Sequence, residues 1–93
     1  MTELEKIASD LQAAHAEGMG AVELALLSRE KMGTAFGVIS FIAVFRQAFG
    51  IPLPILQRAQ AWERFGWGDT HITDEEFRAV LSPWLTGRQQ QGN

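Results

Sequence analysis

Apolar residues recur along this chain at the three- and four-residue steps of a helix. Leu4, Ile7, Ala8, Leu11 and Ala14 draw one stripe. Ahead of it, Thr2 and Glu5 form a capping box, in which hydroxyl and carboxylate each satisfy a backbone donor that a helix start leaves unpaired. The pattern predicts a first helix to about Ala16, with Gly18 just past its end. Residues 20–32 are mostly strong helix formers, with Arg29 and Lys31 placed for the negative end of the helix dipole and Gly33 as the stop. Thr34 is the natural cap of a third helix over residues 34–49. There Phe36, Val38, Ile39, Phe41, Ile42, Val44, Phe45 and Phe49 cover nearly the whole circumference, and a helix apolar all round belongs at the centre of a fold. The same run tolerates β geometry, but the chain has no second strand-like run to pair with it.

Gly50-Ile51-Pro52-Leu53-Pro54 ends that segment, because proline removes a donor and pushes the residue before it out of helical geometry. Pro54 suits the first turn of a fourth helix, with Ile55, Leu56, Ala59 and Trp62 facing inward and Gly66 closing it. Thr73 and Glu76 repeat the capping box and start a fifth helix, with Phe77, Val80, Leu81 and Trp84 inward and Pro83 weakening its end. These elements predict an all-α fold: a compact single-domain bundle of four to five helices around a central apolar helix. The domain is expected over residues 1–86, followed by a flexible polar tail over 87–93.

Composition narrows the classes. At 93 residues and 46% hydrophobic, the chain supports one modest core and has too much apolar material to stay unfolded. It has no cysteine, so disulfides, thiolate metal sites and a cysteine nucleophile are excluded, and a cytoplasmic setting is expected. The net charge of -3 sits entirely in the first 45 residues; from Arg46 on, five arginines balance five acids. Such a balance argues against nucleic acid, which selects clustered positive charge, and favours a protein partner with a basic surface. The opening MTELEKIASD is acidic where a signal peptide is basic, and the longest apolar run is about half of a membrane span, so no membrane partner is expected.

Three stretches carry motif-like features. Residues 67–77 resemble the second half of a calcium-binding EF-hand loop, with Ile72 at its central aliphatic place and Glu76 at its last ligand. Phe65 and Trp67 then fall where oxygen ligands are needed, so no metal or cofactor is expected. The ending Trp62-Glu63-Arg64-Phe65-Gly66 resembles the recognition-helix end of phage-repressor-type DNA-binding domains. That resemblance would put Gln57, Arg58, Gln60 and Arg64 against DNA, although Arg46 falls where the motif wants a small buried residue. Through Arg46, Gly50 and Leu53, the helix-turn-helix-like stretch from Phe45 to Gly66 also resembles the C-terminal domain of the ribosomal stalk protein, but it lacks that family's lysines and strands. For catalysis the candidates are His71 with Asp69, Asp74 or Glu75, and His15 near Glu17, since an imidazole beside a carboxylate is the unit of acid–base chemistry. No nucleophile elbow, phosphate loop or metal-binding histidine pair accompanies them.

Trp67, set between Gly66 and Gly68, is expected either to cover the helix ends or to anchor a partner, with Arg64, Asp69 and His71 as its polar rim. The expected function is a small acidic non-catalytic protein-binding module, an adaptor, regulator or inhibitor of the immunity type that masks a partner surface. The alternatives are a helix-turn-helix-like DNA-binding regulator and a small enzyme using His71 with Asp69 or Glu75. The surplus of apolar surface also allows a homodimer.

Overall fold

The structure, a computed structural model, describes residues 3–68 and 71–91, the last six of these by their backbone. Five helices, α1 (Glu3–Ala16), α2 (Ala21–Met32), α3 (Val38–Phe49), α4 (Leu53–Ala59) and α5 (Asp74–Gln91), pack around one core. The radius of gyration, 12.4 Å, is that of a compact chain of this length, for which about 12 Å is expected. Among the described residues no helix is long and apolar enough to cross a membrane.

The stripe on α1 is buried through Ile7, Ala8 and Leu11. Its direction follows that of α3: Leu4 borders the same groove as Ile39, Gln12 Nε2 donates to the Ala48 carbonyl at 2.7 Å, and the His15 ring meets Phe49 edge-on at 5.5 Å. The expected cap, Thr2, lies outside the described residues. Helix α2 ends at Gly33, as its sequence predicts, and buries Ala21, Val22, Leu24, Ala25 and Ser28. Ser28, the one buried polar side chain among the described residues, donates its hydroxyl to the Ala25 carbonyl at 2.7 Å. A buried hydroxyl without such a partner would cost stability.

The third helix departs from its sequence reading twice. It begins at Val38 and is not capped by Thr34: Gly33–Ala35 forms a turn of 3-10 helix, Phe36 is extended, and Gly37 stands at the cap position with no side-chain bond. Ser40 donates its hydroxyl back to the Ala35 carbonyl at 2.8 Å. Leaving the helix lets Phe36 turn onto Phe65 and Trp67, each 5.5 Å away between ring centroids. The second departure concerns the buried face. Phe41, Val44, Phe45, Ala48 and Phe49 are buried, Val38, Ile42 and Ala43 are half-buried, and Ile39 is 82% exposed. The neighbours of α3 therefore cover its inner face only, and it is central on that side alone. Gly50 then stops it in the left-handed region (φ 67°), its N–H reaching the Arg46 carbonyl at 2.9 Å.

Helix α4 ends at Ala59, well short of Gly66. Beyond it the chain exchanges helical bonds for a short parallel bridge: Ile72 N–H donates to the Ala61 carbonyl and Glu63 N–H to the Ile72 carbonyl, both at 2.9 Å. Two such bonds pin the ends of the intervening loop together, in the manner of a compact surface loop. The second capping box forms as its sequence predicts. Glu76 N–H donates to Thr73 Oγ1 at 3.1 Å and Thr73 N–H to Glu76 Oε1 at 2.9 Å. Helix α5 buries Phe77, Leu81 and Leu85 and runs through Pro83 to Gln91. Proline there leaves the Ala79 carbonyl without its usual donor but does not end the helix.

Candidate functional site

The loop between α4 and α5 holds the residues singled out by their sequence, and its geometry begins at Trp62. This side chain is fully buried, stacked on Phe77 at 4.3 Å and edge-on to Phe65 at 5.0 Å. A buried indole needs an acceptor for its N–H. Asp74, at the start of α5, supplies it: Trp62 Nε1 donates to Asp74 Oδ1 at 2.7 Å. Arg64 Nη2 donates to the other oxygen of the same carboxylate at 3.0 Å, and its guanidinium lies 5.7 Å from the centroid of the Trp62 ring. The Trp62 bond holds the Asp74 carboxyl below its ordinary value of 3.8; partial burial opposes this, while the Arg64 bond and charge and the Arg78 charge assist it. Arg64 thus serves as a strut between the loop and α5, with about half of its side chain exposed.

Trp67 follows on the same turn. Gly66 and Gly68 flank it at φ 73° and 74°, a region that L side chains seldom enter, so the turn that places the ring depends on both. The ring stacks on Phe65 at 4.4 Å and lies 5.5 Å from Phe36 and 6.4 Å from Phe41. Half-buried, it borders a recess of about 260 Å³ with Arg29, Gly33, Thr34, Phe36 and Phe65. Arg29 Nη1 reaches across to the Arg64 carbonyl at 3.4 Å.

His71 is exposed, with no hydrogen bond or ring contact among the described residues, and Asp69 lies outside them. Of the four expected rim and anchor residues, Trp67 stacks on Phe65, whereas the Arg64 side chain is committed to Asp74 and the Trp62 ring. The Asp74 oxygens accept from Trp62 and Arg64, and among the described residues no hydrogen bond joins that carboxylate to His71. Among the described residues no three histidines or acids converge as a metal site, and His15 is turned against Phe49. In the helix-turn-helix resemblance the second helix is α4, which carries Gln57 and Arg58, whereas Trp62, Glu63 and Arg64 lie past its end.

The apolar surface that the pattern was expected to bury at the centre lies partly open on α3. Ile39 is 82% exposed and Leu53 38%, and with Leu4, Ile42, Ala43, Arg46 and Gln47 they line an open groove of about 570 Å³. Ile39, Ala43 and Arg46 follow one another at helical steps along the outer face, with Leu4 of α1 and Leu53 of α4 beside them. The signal lay in the very pattern taken to mean centrality. In a chain this short, a helix apolar on every side exceeds what its packing partners α1, α2 and α4 cover.

No family model matches this chain, and neither the curated proteins nor the solved structures give a significant match to it.

Proposed function

We propose that this protein is a small acidic non-catalytic protein-binding module, of the adaptor, regulator or inhibitor kind, and that it binds through the outer face of α3. The observation that carries this is Ile39, exposed to 82% on the lining of an open, largely apolar groove. Covering a large aliphatic side chain stabilises a complex by about 1.5–3 kcal/mol, and an apolar residue in a depression is the usual anchor of an interface. The net charge of -3 draws basic surfaces at long range. At contact the selection differs, since the one ionic residue lining the groove is Arg46, which fits an apolar ridge carrying a carboxylate. The absence of cysteine supports a cytoplasmic setting.

A second surface, made by Arg64, Trp67, Asp69 and His71, draws support from the half-exposed Trp67 ring beside the recess that Arg29 borders. One pair of variants separates the two. Ile39→Glu is expected to leave the thermal midpoint unchanged and to abolish capture of the partner from native lysate. Trp67→Ala is expected to lower stability by about 2 kcal/mol, through loss of the stack on Phe65, and to leave capture per folded molecule intact. The reverse pattern assigns binding to the Trp67 loop and contradicts the α3 surface.

A further inference from the structure

We propose that the occupant of the α3 groove is a second copy of this chain, its α3 lying antiparallel across the first about a two-fold axis close to Ala43. The proposal rests on the reading of that face as a binding surface and adds the identity of the partner. What a self-association needs is a patch that complements itself, since in a two-fold contact residue i meets j while j meets i. The groove has that property.

Its apolar and ionic parts are ordered along the helix. Because α1 runs alongside α3 in the same direction, the first turn of α1 lies at the Ile39 end, where Leu4 borders the groove and Glu3 precedes it. Arg46 stands two turns further along α3. Both Glu3 and Arg46 are exposed, and neither has an ion pair among the described residues. Turning a second α3 antiparallel over the first sets residue 39 of each copy opposite residue 46 of the other. Ile39 then packs on the aliphatic stem of Arg46 and on Leu53, while the guanidinium reaches the acidic first turn of α1 beside Leu4. Both contacts occur twice. Ala43, small and half-buried, sits at the crossing, where a short side chain lets two helices approach closely. A parallel arrangement would instead oppose Arg46 to Arg46 and Glu3 to Glu3.

The size of the contact sets its strength. Twelve residues of α3 span about 18 Å, and with Leu4 and Leu53 they offer less than the roughly 800 Å² per partner of a standard stable interface. Copies of charge -3 also repel one another at a distance, an effect screened over about 8 Å at physiological ionic strength. A reversible dimer in the micromolar range follows.

Sedimentation equilibrium of the full chain, from about 1 µM to about 1 mM, tests this. The wild type is expected to pass from monomer to dimer across that range. Ile39→Glu is expected to weaken association at least about ten-fold, and so is Arg46→Glu, whereas Glu3→Arg combined with Arg46→Glu restores most of the loss; unchanged thermal midpoints show that each variant is folded. A monomer at every concentration, or a dimer that Ile39→Glu leaves intact, overturns the second copy as partner. A dimer broken by Ile39→Glu but not restored by the double reversal overturns the antiparallel arrangement. The broader reading fails separately: if Ile39→Glu leaves both self-association and the capture of lysate proteins at the wild-type level, the α3 face is not a binding surface at all.

Discussion

Asp74 begins α5 within the box that Thr73 and Glu76 close, and its two oxygens take the Trp62 indole and the Arg64 guanidinium. A carboxylate is suited to this place because it faces the positive end of the helix dipole as well as two donors. The pH dependence follows from the direction of its shift. The folded carboxyl titrates below its ordinary 3.8, so the stability it adds is complete above that value and is lost as pH falls through the lower, folded one. The indole N–H resonance of Trp62 is therefore expected to hold its position down to pH 4 and to move only in more acid solution. A midpoint at or above the ordinary carboxylate value contradicts the arrangement. Substitution separates shape from charge: Asp74→Asn keeps an acceptor for the indole and is expected to melt between the wild type and Asp74→Ala. Equal melting of Asp74→Ala and wild type would show that the network contributes nothing. None of this was legible in the sequence, because the Trp62–Asp74 contact spans twelve residues and exists only where the chain has left α4.

At the scale of the element, caps and stops were legible where they depend on neighbours in sequence. The Thr73–Glu76 box formed with both of its bonds, and Gly33 and Gly50 end the helices they follow. Thr73→Ala is expected to cost about 1 kcal/mol in urea denaturation, and no change in midpoint would mean that the box is idle. What failed was decided by distant partners. Thr34 offered a local cap, but Phe36 gains more by packing on Phe65 and Trp67 outside a helix. Residues 60–63 continue a helical pattern, yet Ile72 takes the backbone bonds at Ala61 and Glu63. The two sides of α3 make a further contrast. Phe45→Ala removes a fully buried ring and is expected to destabilise by about 3–5 kcal/mol. Ile42, only half-buried, is expected to cost about half as much or less on truncation. Equal losses at the two positions would place Ile42 in the core and close the groove.

Across the whole molecule, apolar surface is shared unevenly. On one side the rings of Phe41, Trp62 and Phe77 gather around Phe65, and Trp67 stacks on Phe65 and meets Phe41. On the other side, Ile39 of α3 and Leu53 of α4 stand in the open. The all-α class and the inner residues of the helices follow from periodicity alone, since each helix must hide its stripe. Which apolar residues remain outside does not, because that depends on how much of α3 its neighbours reach. A contiguous exposed apolar face is the kind of surface that marks an interaction site, and this is the reading proposed for α3. The most direct test places a photoreactive benzophenone side chain at position 39 of the full chain and irradiates it in living cells. Covalent adducts from position 39, with none from the same group at the exposed position 75 of α5, are the result expected of a binding face. Equal labelling from both positions, or none from either, would contradict it.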